Sequence, residues 1–480
     1  MRRYLLGLLL CSSSMMAQDV NTDFQAFRKD MLGNYSGFRK SVLDDYANYL
    51  NGIWEEFQVF RGIKKNNEPK PVNIPKAEDI PTQPTPQNLP KPEDIPMTKP
   101  IEDKPFNRPT HPLAPSVPTI TLVFYGIKLN VASANPCQLT SLEHQDIAKI
   151  WKSYQKDATI KNVILSLNQQ VKAHRLNDWF AYELVSTYVT QILCGSSASA
   201  KVLLEHYILV NMGYDIRLAS TNTRLWLLIP TYQQVYERSY LMLEGRKYYV
   251  FGEDSKKIQE TSSLYTCELP KEADKGRSLN LILGKQGLGI LSTQQHHYLL
   301  SDGNIQIQGS VNTGTMEALR HYPQMDVVYY AKSVVNPIFR QELLAQMKPQ
   351  IAGLPQPEAA NKMLHFVQYA FDYATDQEQF GYEKPYFLEE NFYYPKNDCE
   401  DRAILYAFLI HELLGLDVHL VQFPGHECTA VHFTDSSITG DYYTYQGEKY
   451  LICDPTYIGA PIGLCMPNFK SNKPNVEIWK

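Results

Sequence analysis

The sequence predicts an α+β protein organised around one segment, Asn397 to Tyr457. Three observations carry that prediction. Cys399 opens an apolar pattern of Ala403, Leu405, Phe408, Leu409 and Leu413, spaced as on one face of a helix. Val418-His419-Leu420-Val421, Glu427 to Val431 and Tyr450-Leu451-Ile452-Cys453 then read as three successive strands. A weaker version of the same helix-then-strands pattern lies 202 residues upstream.

Each part of the segment has a local cause. Asp398 stands where a helix N-cap belongs, Asp401 in the first turn completes the cap, and Gly415 stands at the C-cap. A cysteine at a helix N-terminus faces unpaired N–H groups and the positive end of the helix dipole, and both favour the nucleophilic thiolate. The neighbouring acids Asp398 and Asp401 oppose that effect, so a histidinium partner has to outweigh them. His426 and His432 flank the second strand, and Asp454 closes the third. Cysteine on a helix start, with histidine and aspartate on adjacent antiparallel strands, supplies nucleophile, base and orienter. His426 is preferred as base because it leads the strand. His432 is the alternative, because its parity along the strand is the same.

On these residues the segment resembles the transglutaminase-like core of the papain-like superfamily. The family motifs are a Cys-x-Asp helix start, a His-led strand and a strand ending Asp-Pro-Thr. They correspond to Cys399-Glu400-Asp401, to His426 or His432, and to Asp454-Pro455-Thr456. The likeness covers roughly residues 357–468 and includes the FGYEKPYF run at 380–387. Many members carry a Trp just after the histidine and another before the cysteine. Here Glu427 and Phe392-Tyr393-Tyr394 stand in those places. The resemblance implies that Cys399 attacks a peptide or glutamine carboxamide carbonyl to form a thioester. The histidine moves the proton, and Asp454 holds the histidine's tautomer. Water or an amine resolves the acyl-enzyme, hydrolysis being favoured over cross-linking, with neither metal nor cofactor. The alternative from another class is a non-catalytic envelope scaffold or peptide-binding protein using the same fold.

The composition sets limits on this. At 480 residues the chain is too long for one core and implies two or three domains. Its net charge is −5, or −7 once Arg2 and Arg3 are removed (−5 − 2), which argues against a nucleic-acid partner. Residues 1–17 carry Arg2-Arg3, an apolar run from Tyr4 to Leu10 and a small-residue end at Ala17, the pattern of a secretory signal peptide. That run is too short to span a membrane, and Leu10 before Cys11 is too large for a lipid-attachment signal. Export to the periplasm or cell surface follows. The remaining seven cysteines are an odd number and match no zinc spacing, so one thiol stays free unless chains pair.

From the N-terminus, the expected organisation begins after the signal peptide with an amphipathic helix in 18–65. Eleven large apolar residues from Phe24 to Phe60 repeat there every 3.6 positions, a face that calls for an envelope partner or for docking. Residues 66–118 are a spacer: fifteen of the thirty prolines fall in 69–118, with the near repeat PKAEDIP and PKPEDIP. Residues 119–256 form an α+β domain. Its 195–254 stretch overlays the Cys399 segment at the 202-residue shift, with nine identities in 58 positions from 195 to 252. At that shift Ser197 falls on Cys399, Arg224 on His426 and Gly252 on Asp454, so this copy is degenerate and has no base. Residues 257–350 read as a small β-rich element with a closing helix, its strands at Leu279 to Leu283, His297 to Leu300, Ile305 to Gln308 and Val327 to Tyr330. The adjacent His296 and His297 have no third ligand in view. Residues 351–480 form the catalytic domain, whose partner is a protein or peptide substrate.

Overall fold

The computed structural model describes residues 117–478 apart from 221–222, 237, 244, 252–264, 268–275 and 285–291. The expected signal peptide, amphipathic helix and proline-rich spacer lie outside these residues. The described chain mixes helix and sheet, as an α+β reading requires. It opens with a hairpin, β1 (Thr119–Phe124) and β2 (Ile127–Ala132). Tyr125 and Gly126, both at positive φ (45° and 86°), make the tight turn whose twist suits two antiparallel strands. Three helices follow: α1 (His144–Lys156), α2 (Ala158–Ala173) and α3 (Asp178–Ile192). Asp157 caps α2 through Thr159 N–H and Asn177 caps α3 through Phe180 N–H.

Helix α4 (Ala198–Asn211), capped by Ser197, feeds a five-stranded antiparallel sheet. Its strands are β3 (Arg217–Ser220), β4 (Leu225–Pro230), β5 (Tyr240–Leu243), β6 (Arg246–Phe251) and β7 (Tyr265–Cys267), in the order β5-β6-β4-β3-β7. A second hairpin, β8 (Gln295–Ser301) and β9 (Gln306–Asn312), precedes four helices. These are α5 (Thr313–Arg320), α6 (Val327–Lys332), α7 (Pro337–Ile351) and α8 (Gln356–Tyr369). Between α8 and the cysteine helix come β10 (Asp372–Tyr373), α9 (Asp376–Gln379), a 3₁₀ turn at Leu388–Phe392 and β11 (Lys396–Asn397), with β10 and β11 paired in parallel.

Helix α10 (Cys399–Leu414) ends at Gly415, whose φ of 64° gives the left-handed C-cap that glycine tolerates best. It packs on α8 and on strands β12 (Asp417–Phe423) and β13 (His426–His432). Every residue from Ala403 to Ile410 is buried, because the helix is apolar on all sides and is enclosed by sheet and helices. Each large side chain there contributes about 1.5–3 kcal/mol of burial. Strands β14 (Tyr442–Tyr445), β15 (Glu448–Cys453) and β16 (Asn475–Ile478) complete a second antiparallel sheet, ordered β14-β15-β13-β12-β16.

The two sheets share strand order and register. Arg217 pairs with Leu228 and His419 with Ala430; Leu227 pairs with Phe251 and Thr429 with Cys453; Tyr240 pairs with Tyr249 and Tyr442 with Leu451. In each case one shift of 202 carries the first pair onto the second. Buried residues of both halves belong to one continuous apolar core.

Two expectations are corrected. Val327-Val328-Tyr329-Tyr330, read as a strand, lies in helix α6, whose N-cap position is Asp326 without a side-chain cap bond. A four-residue apolar run cannot distinguish a period of 2 from one of 3.6, and tertiary packing decided the outcome. Leu279 to Leu283 forms no strand either: Leu279 makes a single bridge to Thr231, and the segment is fixed by side chains, with Gln233 accepting the Leu281 N–H at 2.8 Å. Residues 257–350 therefore contribute, among the described residues, the short strand β7, one long hairpin and three helices, α5, α6 and all but the last residue of α7.

Candidate active site

Asn397, two residues before the thiol, is held by a buried arginine. Arg402, 1 % exposed, donates Nε to Asn397 Oδ1 at 2.8 Å and Nη2 to the Phe371 carbonyl at 2.8 Å. Asn397 in turn donates to Asn391 Oδ1 at 2.8 Å. Asp398 is the N-cap of α10, and Asp401 accepts both the Asp398 N–H at 3.3 Å and the Tyr386 N–H at 2.8 Å. The start of α10, and with it Cys399, is thus anchored from the loop before it and from within its own first turn.

Cys399 is half-buried, and its Sγ–H donates to Glu400 Oε2 at 3.1 Å. The backbone N–H of Glu427 is also directed at the sulfur, which sets the thiol against the start of β13, one residue from His426. Burial pushes the thiol well above the ordinary cysteine range, and the carboxyls of Glu400 and Asp398 push it further; only the Glu427 amide pulls it down. The helix dipole therefore does not set this cysteine's protonation: at rest it is a thiol.

His426 and Asp454 meet across β13 and the end of β15. His426 Nε2 lies 2.8 Å from Asp454 Oδ2, and the aspartate is 1 % exposed. A carboxylate only accepts, so Nε2 carries the hydrogen and Nδ1 keeps the lone pair a base needs. Asp454 Oδ1 accepts the Thr456 and Tyr457 N–H groups at 2.9 and 3.1 Å, which is why the strand ends in this turn. The Phe469 ring stacks on the imidazole at 5.1 Å between centroids. His432 is at the other end of β13. Its Nδ1 faces the Lys449 carbonyl at 3.1 Å, and its Nε2 is 3.7 Å from Glu448. The structure brings Asp454 to His426 and not to His432.

Three features were not visible in the sequence. Gln368, on α8, donates Nε2 to the carbonyls of Asp454, Tyr457 and Ala460 at 3.0, 2.9 and 3.0 Å and accepts the Gly459 N–H at 3.2 Å. It clamps the turn that carries Asp454, and nothing in a helix pattern signals this. The Arg402–Asn397–Asn391 chain is the second. The third is that Asp376 and Glu383 join the acids flanking the thiol: Asp376, Glu383 and Glu400 have oxygens within 4.8 Å of one another, as do Asp376, Asp398 and Asp401. Burial raises Asp398, Glu400 and Asp401 well above the usual carboxylate range and Asp376 to about 6. These trios, and His426 with Cys428 and Asp454, have the dimensions of a cation site. Carboxyls pushed toward the neutral form also sit together without an ion, sharing protons as hydrogen bonds.

In the first sheet the corresponding places hold other chemistry. Ser197 Oγ accepts the Ala200 N–H as a helix cap, and the Arg224 guanidinium lies over the Trp226 ring at 4.5 Å. Among the described residues, no helix is long and apolar enough to cross a membrane. Among the described residues Cys137, Cys194, Cys399, Cys428 and Cys453 are free thiols. Comparison of the chain with protein-family models, with curated proteins and with solved structures finds no match.

Proposed function

We propose that this chain is an exported, cysteine-dependent acyl-transfer enzyme with a transglutaminase-like, papain-like core, acting on peptide or glutamine carboxamide bonds. The observation that carries the reading is the buried His426–Asp454 pair on adjacent strands, with the Cys399 thiol bordering the same strand at Glu427. In this reading His426 Nδ1 takes the Cys399 proton as the sulfur attacks the carbonyl carbon. The tetrahedral intermediate collapses to the thioester as the imidazolium gives that proton to the departing amine, and water or an amine then resolves the acyl-enzyme. Hydrolysis is favoured over cross-linking. The 195–254 unit is a degenerate copy of the same fold, supported by the constant shift between the two ladders, and serves as a binding or packing domain.

A second reading, a non-catalytic scaffold, is favoured by one observation, the hydrogen bond that holds the thiol on an acid. Ammonia release and incorporation of a fluorescent primary amine, measured on a glutamine-containing peptide, separate the readings. Ammonia release without amine incorporation, or peptide cleavage, that disappears in Cys399→Ala supports a hydrolase. Cysteine-dependent amine incorporation supports a transferase. The same output from wild type and Cys399→Ala contradicts both.

A further inference from the structure

Cys428 takes no part in the proposed acyl transfer, yet it lies among the groups that do. It follows His426 by two residues on β13, so the two side chains share one face of the sheet. The β13–β15 register pairs Thr429 with Cys453, and one further step sets Cys428 beside Asp454. A ring nitrogen of His426, the Cys428 sulfur and a carboxylate oxygen of Asp454 all lie within 4.8 Å of one another, and all three residues are buried. Imidazole, thiol and carboxylate thus converge from two paired strands. No zinc spacing announces them in the sequence, because strand register, and not a short loop, brings in the third donor.

The donors are already held in place. Asp454 Oδ1 accepts the Thr456 and Tyr457 N–H groups, which leaves Oδ2 directed at His426. The Phe469 ring stacks on the imidazole and fixes its plane. Cys428, 1 % exposed, has no hydrogen-bond partner for its thiol among the described residues. Sulfur, imidazole and carboxylate together suit zinc, whereas calcium and magnesium take oxygen ligands. Zinc bonds of about 2.0–2.3 Å put tetrahedral ligand atoms about 3.4–3.8 Å apart, so side-chain shifts of about 1 Å close the three donors on an ion. His426, at 9 % the most exposed of the three, marks the side from which an ion enters.

We propose that His426, Cys428 and Asp454 form a zinc-binding site, with water in the fourth position of the ion. Cys428 releases its thiol hydrogen as a proton when the sulfur ligates. Because the ion engages the imidazole and the aspartate together, His426 cannot carry a proton to and from Cys399 while zinc is bound. Zinc therefore holds the candidate enzyme off. That consequence rests on the acyl-transfer reading; the binding itself does not.

Full-length protein freed of metal with EDTA, then titrated with cobalt(II) or zinc(II) alone, tests the site. Cobalt should give a near-ultraviolet thiolate-to-metal charge-transfer band and the intense visible bands of a tetrahedral centre. The charge-transfer band should persist in Cys399→Ala and vanish in Cys428→Ser. Zinc affinity, read by competition with a chromophoric chelator, should fall at least about tenfold in Cys428→Ser. Asp454→Asn, which keeps the shape of its turn, is the check should Cys428→Ser fail to fold, and its zinc affinity should fall by a similar factor. Absence of the band in wild type, a band that survives Cys428→Ser, or zinc affinity unchanged in Asp454→Asn would overturn the proposal. Zinc bound with these signatures by a protein that shows no acyl transfer when metal-free would sink only the enzymatic reading.

Discussion

Cys399 donates its thiol hydrogen to Glu400 Oε2 at 3.1 Å, so an acid, itself pushed toward neutrality by burial, guards the candidate nucleophile. After burial, Glu400 is the largest influence raising the thiol. Glu400→Gln keeps an acceptor oxygen and removes the negative charge, and the thiol should titrate lower. Below the thiol's midpoint, each unit of lowering gives about tenfold more thiolate, with a partly offsetting loss of nucleophilicity. Stopped-flow alkylation at pH 8 is expected to be several times faster in Glu400→Gln than in wild type. A slower variant would mean that Glu400 assists rather than restrains the sulfur.

Asp454 sets the imidazole tautomer. In Asp454→Asn the amide oxygen can still accept the Thr456 and Tyr457 N–H groups, but an N–H then faces His426 Nε2. The ring hydrogen moves to Nδ1, and the base is lost with little change in shape. Acyl-transfer rate should fall roughly 10²–10⁴-fold with the unfolding midpoint nearly unchanged. Equal activity would remove Asp454 from the mechanism.

Gln368 makes four hydrogen bonds to the turn after β15, three of them buried. Gln368→Ala leaves three carbonyls and one N–H without that partner, at a cost of about 2–4 kcal/mol when part of the loss is recovered by water. Urea unfolding should show this as a lower midpoint at unchanged slope. The Asp454 turn should also loosen, and amide exchange at Thr456 and Tyr457 should accelerate.

The acid cluster makes stability depend on pH in an uncommon sense. Asp376 is held at about 6, above its ordinary 3.8, chiefly by burial. The folded state therefore binds more protons than the unfolded state between those values, and stability falls as pH rises from about 4 through 6. Asp376→Asn keeps an oxygen to accept the Lys384 N–H and cannot ionise. Its urea midpoint should exceed that of wild type at pH 8, and the advantage should disappear near pH 4. A variant less stable at both pH values would show that the ionised carboxylate is favourable in place.

How much of this was legible in the sequence depended on how local the cause was. The Cys399 helix could be read because its N-cap, its apolar spacing and Gly415 all lie within seventeen residues of one another. The positions of His426 and Asp454 at strand ends could be read for the same reason. Alternation alone could not decide between His426 and His432. That needed the register of β13 against β15, which pairs Thr429 with Cys453 and so brings the chain's next residue, Asp454, toward His426. Gln368 was illegible because its partners are backbone carbonyls 86–92 residues away. The raised thiol was only half legible. The acids beside it were in plain view, but the largest cause is burial, a property of the packed core and not of any motif.

The central claim is that His426 activates Cys399, and the pH dependence of iodoacetamide alkylation at Cys399 tests it most directly. Peptide mass spectrometry would compare wild type with His426→Ala and His432→Ala. An ordinary thiol titrates near about 8.5, and an activated one at roughly 3.5–7.5. Because the resting thiol lies above the ordinary range, the account predicts no thiolate wave below pH 7. It predicts instead that wild type and His432→Ala are alkylated faster than His426→Ala across neutral pH, since only His426→Ala lacks the base that takes the proton as the sulfur attacks. Identical profiles in wild type and His426→Ala, or a Cys399 that resists alkylation throughout, would contradict the enzymatic account and leave the scaffold.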